Sequence, residues 1–129
     1  MTVIIQGLDD DIMQLKADTE SAIVGTVIEV EGLLRARTRV DTGNARNSWH
    51  TSRVADDYGV EGANQPNAAD VMAQYSLGET IYVNNGAEYI SYLENGTSRM
   101  AGDHMVRRTI NDVPELLERQ NADVRAARR

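Results

Sequence analysis

"DTGNARNSWH", residues 41–50, holds the only tryptophan of a 129-residue chain that contains no phenylalanine. Its reading decides the fold. A glycine-bearing polar run can cradle phosphate, and that would call for a nucleotide-binding α/β domain. Such a loop needs Gly-Lys-Ser/Thr, or a GxGxxG run between a strand and a helix, and this stretch has neither. The alternative is a seam between a helix and a strand. Upstream, Ile12, Leu15, Thr19, Ile23, Val27, Val30 and Leu34 recur at steps of three or four residues. That period predicts a long amphipathic helix from about Asp9 to Arg39, stopping before "VDTG", where Gly43 suits a turn or cap. Downstream, "SWHTSRV" predicts a strand with Trp49, Thr51 and Arg53 on one face.

Outward from the seam, "TVIIQG" (2–7) reads as an edge strand or an arm that pairs with a neighbouring chain. Asp9, Asp10 and Asp11 suit the start of the long helix. "ADDYGVEGANQP" is loop or hairpin. "NAADVMAQYSLG" predicts a short helix, with Asn67 as its cap and Gly78 as its stop. "ETIYVNN" alternates Ile81 and Val83 against Tyr82, as a half-exposed strand does. "AEYISYLENG" predicts a second short helix with Tyr89, Leu93 and Tyr92 inward and Gly96 as terminator. "TSRMAGD" is an irregular loop. Val106, Ile110, Val113, Leu117 and Val124 form a last helical stripe, which Pro114 should kink or restart. These elements make one α+β domain over residues 1–129, with residues 1–8 as an arm and 119–129 as a basic tail. A small antiparallel sheet packs against the long N-terminal helix, with short helices and a C-terminal helix beside it.

Composition narrows the function. Without cysteine there is no disulfide, thiolate metal site or cysteine nucleophile. No apolar run reaches the ~20 residues of a membrane span, and no basic-then-apolar leader opens the chain, so no membrane partner is expected. Twenty acidic and thirteen basic side chains leave a net charge of −7, which opposes a tight grip on nucleic acid.

Chemistry finds little purchase. His50 and His104 belong to no metal-ligand spacing, and the three aspartates at 9–11 point different ways around a helix. Ser48, Ser91 and Ser98 lack the setting of a nucleophile. No cofactor and no catalytic residue are expected. Tyr82, Tyr89 and Tyr92 either close the edge of the sheet–helix core, with their hydroxyls in water, or line a subunit interface.

The order of the motifs carries more than any one of them. After a long helix come Val40, Asp41, Thr42, Gly43, Arg46, Ser48 and Trp49. Gly78, Glu79, Tyr82 and Asn85 follow, then Tyr89, Leu93, Glu94, Gly96, Thr97 and Ser98, and finally Met105 and Val106. This succession resembles the tail-completion and minor tail proteins of long-tailed bacteriophages, the family that includes the lambda Z protein. It runs from about residue 10 to residue 118. It departs where Arg99, Met100 and Ala101 replace a Gln-Ala-Pro of that family.

The resemblance implies a non-enzymatic virion protein, made in the host cytoplasm and built into the neck as a ring of about six copies. Its partners would be further copies of itself, the head-completion or connector protein, and the tail terminator or tail tube protein. DNA would pass through the ring without specific binding. Trp49 would begin the first strand and anchor it beneath the long helix, with residues 41–47 as the turn. Arg46 would pair with Glu94 or with a neighbouring subunit. Arg107, Arg108 and the terminal Arg125, Arg128 and Arg129 would face protein neighbours, leaving the channel acidic or neutral. Two other classes compete: a small phage-encoded hydrolase, and an acidic regulator of a basic host protein.

Overall fold

The computed structural model describes residues 1–3, 6–39, 44–53, 68–87 and 89–127. Helix α1 spans Leu8–Arg37, within two residues of the expected bounds. Gly7 opens it in a left-handed conformation (φ 78°), and the Asp11 N–H donates to the Gly7 carbonyl at 3.0 Å. Thr38 ends it: its N–H returns to Leu34 O at 3.0 Å and its hydroxyl donates to the same carbonyl at 2.5 Å. The long helix is followed by the one-turn helix α2 (Asn44–Asn47) and strand β1 (Trp49–Ser52). Asp41 and Gly43 lie outside the described residues, as does the loop or hairpin predicted after Arg53.

Helix α3 (Ala68–Met72) precedes strand β2 (Tyr82–Asn85), helix α4 (Ile90–Asn95) and helix α5 (Met105–Ala127). The two strands pair antiparallel, Trp49 opposite Asn85 and Ser52 opposite Tyr82. The result is the expected α+β arrangement: a small antiparallel sheet, two long helices and short helices between them. Helix α5 runs back along α1. Arg37 reaches Thr109 and Asp112 near the start of α5, Arg119 reaches Glu29 further on, and Gln120 lies over Gly25.

Several expectations need correction. Helix α3 ends at Met72, so Gly78 (φ 99°) serves the following turn and does not stop the helix. Strand β1 is buried at all four positions, not on alternate ones. Its polar side chains can be enclosed because they find partners, as when Thr51 donates to Glu31 at 2.8 Å. Helix α5 continues through Pro114 without a restart. Pro114 is exposed, so the carbonyl deprived of its N–H partner need not be buried. The buried face of α5 is Met105, Thr109 and Leu116, one position off the expected stripe, and Ile110 is exposed. Tyr92 also points outward, while Leu93 is buried and Tyr89 packs against the core.

Candidate functional site

The core gathers at the C-terminal end of α1. Leu34, Ala45, Trp49, Ala87, Leu93 and Met105 form one buried cluster, with Val30, Val83, Tyr89, Ile90, Met100 and Val106 packed against it. Trp49 is 4% exposed, and its indole N–H donates to the Thr38 hydroxyl at 2.7 Å. The tryptophan thus begins β1 and locks it to the end of α1. Asn85 closes the same corner from β2. Its amide donates to Ala45 O at 2.7 Å, and its side-chain oxygen accepts the Ala87 N–H at 2.9 Å.

Three arginines at alternate positions leave this end of α1 for three different elements. Arg35 donates to the Trp49 carbonyl at 2.6 Å and to Glu31 at 2.8 Å. Arg37 pairs with Asp112 of α5 at 2.6 Å. Arg39 pairs with Asp103 at 2.7 Å, in the segment between α4 and α5. Glu31 is the most deeply buried carboxylate among the described residues, its side chain 4% exposed. One carboxylate oxygen receives Arg35 and the other receives Thr51, so the buried anion is matched on both sides. Sequence reading missed this network. The only sign of it was the run of arginines at positions 35, 37 and 39; their destinations lie up to 75 residues away.

Glu94 has a different partner from the one expected. Its carboxylate accepts the N–H groups of Val106 and Arg107 at 2.9 and 3.2 Å, two donors in the first turn of α5 that no helical carbonyl can reach. A carboxylate there also meets the positive end of the helix dipole. Arg46 instead donates to the Thr38 carbonyl at 3.1 and 3.4 Å, securing the α1 exit. Their separation follows from Thr38 and the α5 terminus each offering a backbone group without a partner in its own helix.

The segment between α4 and α5 is a closed turn. Gly96 bridges Ala101, Thr97 N–H donates to Met100 O at 2.8 Å, and the Asp103 and His104 N–H groups return to Leu93 and Glu94 carbonyls at 2.7 and 3.1 Å. Gly96 (φ 86°) ends α4, as expected, and Gly102 passes so close to it that a Cβ on Gly102 would meet only backbone.

Comparison with family models, with curated proteins and with solved structures finds no match. The molecule's own geometry therefore carries the functional reading.

The structure brings Arg46, Trp49, Tyr89, Glu94 and Gly96 to one corner, where they hold backbone and core together. Tyr82 stands half-buried on β2, and Arg107 and Arg108 are exposed at the start of α5. His50 is buried with Nδ1 3.2 Å from Ser48 O, and His104 sits at φ 51° with its Nδ1 enclosed. Among the described residues no three His, Asp or Glu side chains are grouped to hold a metal, and no helix is long and apolar enough to cross a membrane. On the flank, Glu79 accepts the Ser76 N–H at 2.7 Å and Arg53 at 2.9 Å. The Ser76 bond first, and Arg53 second, hold its carboxyl below the usual range.

The second surface of note is the other end of α1. From Asp10 to Ala17 every position is exposed, including Ile12, Met13 and Leu15. Helix α5 ends at Ala127, seven residues beyond the Gln120 that covers Gly25, so at ~1.5 Å per residue it reaches back only to about residue 18 of α1. The expected apolar stripe does continue through Ile12 and Leu15, but nothing described in its own chain covers it.

Proposed function

We propose that this chain is a structural subunit of a long-tailed phage neck, a tail-completion protein that forms a ring and joins the tail to the head connector. The observation that carries the reading is the uncovered end of α1. Two turns of helix holding Ile12, Met13 and Leu15 in water are costly for a protein that works alone and expected of one that works in contact with others. The motif residues support it too. Trp49, Asn85, Leu93, Glu94, Gly96 and Met105, which carry the resemblance, meet at one corner as packing and capping groups. Each fills a packing or capping role toward its own chain, as a structural subunit requires.

Such a ring also suits its passenger. A net charge of −7 per chain favours a channel that repels the duplex weakly and lets it slide. The test is the mass of the purified protein in solution, set beside its copy number and location in intact particles. About six copies at the neck support the proposal. Absence from the particle, or a single copy in it, overturns the proposal.

A further inference from the structure

We infer that the uncovered end of α1 in one copy docks on the α4–α5 corner of a second copy. The two surfaces are complementary in both apolarity and charge. The first presents Ile12, Met13 and Leu15, which are 55%, 68% and 64% exposed, beside exposed Asp10 and Asp11. The second presents Tyr92 at 58% and Ile110 at 62%, beside exposed Arg107 and Arg108. Glu94 joins the two helices of this corner by binding the first turn of α5, with Tyr92 two residues before it and Ile110 one turn beyond. The α1 patch carries exposed Asp10 and Asp11 against a single exposed Lys16, whereas the corner carries exposed Arg107 and Arg108, so the two net charges are opposite and favour this pairing.

Their placement sets the kind of assembly. The corner lies by Leu34 at the C-terminal end of α1, some twenty residues and thus roughly 30 Å along the helix from Ile12 and Leu15. Two different patches at opposite ends of one subunit make a head-to-tail contact. Such a contact leaves a donor and an acceptor free in an open dimer, so it propagates. It closes as a ring where the rotation between copies returns on itself and runs on as a filament where it does not. Pairing of like with like would bring Asp10 and Asp11 of each copy together with only one Lys16 from each, a poorer match than Arg107 and Arg108 supply. The ring closure rests on the neck reading; the contact itself does not.

The absence of cysteine from the chain makes the test direct. Leu15→Cys and Ile110→Cys place single thiols on exposed positions, one per patch, and far-UV circular dichroism checks that both variants fold. The two full-length variants are mixed at about 1 mM, where a contact with a millimolar Kd is substantially populated, and oxidised. The expected product is a disulfide between residue 15 of one copy and residue 110 of the other. Its yield should exceed, by about tenfold or more, that of Leu15→Cys with Ala69→Cys, a thiol on α3 away from both patches. Arg107→Glu with Arg108→Glu in the Ile110→Cys partner should cut the yield about tenfold, and Asp10→Arg with Asp11→Arg in the Leu15→Cys partner should restore it. Equal yields with the Ala69 thiol, or a predominance of 15-to-15 links, overturn the contact. A failed cross-link beside about six copies at the neck would discard this contact and keep the ring. A strong cross-link in a protein absent from particles would keep the contact and discard the neck.

Discussion

Replacing Gly102 with alanine tests the closed turn at its tightest point. A Cβ there would press on the Glu94 carbonyl oxygen and stand 2.5 Å from Asn95 C and 2.7 Å from Gly96 N. All three are backbone, so no flexible side chain can swing away. Gly102 is not in a left-handed conformation, and the cost is therefore steric, without a contribution from backbone strain. Relief requires the chain to back off by most of an ångström. That movement loosens the Asp103 and His104 N–H bonds to Leu93 and Glu94, and with them the seating of α5. Overpacking typically costs about 1–3 kcal/mol, and each hydrogen bond lost about 1 kcal/mol. The expected destabilisation is about 3–5 kcal/mol, or roughly 10–20 °C in Tm for a domain of this size. Urea denaturation followed by circular dichroism measures it, with Gly32→Ala as the control. Gly32 has nothing within 4 Å of its would-be Cβ and stands inside a helix, so alanine there should stabilise by about 0.5–1 kcal/mol. A Gly102→Ala loss below about 1 kcal/mol would show that the turn yields freely, and the account of how α5 is seated would be wrong.

Trp49→Ala should cost about 3–5 kcal/mol, and Trp49→Phe, which removes the bond to Thr38 and part of the packing, about 1–2 kcal/mol. A loss below about 1 kcal/mol for the alanine variant in chemical denaturation would mean that the indole does not anchor β1. Glu79 should titrate below an ordinary glutamate in an NMR pH series. Because its folded pKa lies below its unfolded one, its stabilising effect is complete above the usual carboxylate range and is lost as pH falls through the lowered value. Arg53→Ala should move that midpoint up only in part, since the Ser76 bond remains; a midpoint at the free-glutamate value in the intact protein contradicts the assignment. If the chain is the neck subunit proposed above, reversing Arg107 and Arg108 to Glu should impair joining of heads to tails while leaving DNA release from completed particles unchanged. Normal joining with faster ejection would put these arginines on the channel wall, where they would hold phosphates.

The fold was legible where hydropathy has a period. Steps of three and four from Ile12 to Leu34 placed α1 within two residues at each end, and Gly96 marked the end of α4. Legibility failed where polar residues go inside. Thr109 is buried on α5 because Arg37 donates to its hydroxyl at 3.1 Å, so a hydropathy stripe drawn through Ile110 misses the true inward face. Likewise β1 lost its alternation at His50 and Ser52, polar residues buried along with Trp49 and Thr51; His50 Nδ1 stands 3.2 Å from the Ser48 carbonyl. Glu94 was singled out in the sequence, but its partners are backbone N–H groups, which every residue has and no sequence pattern displays. The uncovered end of α1 was half visible. The apolar stripe runs on through Ile12 and Leu15, and only the end of α5 shows where its cover stops.

The antiparallel pairing of α1 with α5 also governs how the chain is born. Arg37 and Asp112 are 75 residues apart, and Glu29 and Arg119 are 90 apart. A ribosome adding about 5–20 residues per second needs roughly 4–18 seconds after making one side of this pairing to make the other. Throughout that interval α1 has no long helix to lie against, and its inward face as well as its outer end is open to water. Nascent chains on neighbouring ribosomes of one message thus carry the same unsatisfied helix at the same time. The late arrival of α5 turns folding into a race between closing the subunit on itself and meeting another copy too early.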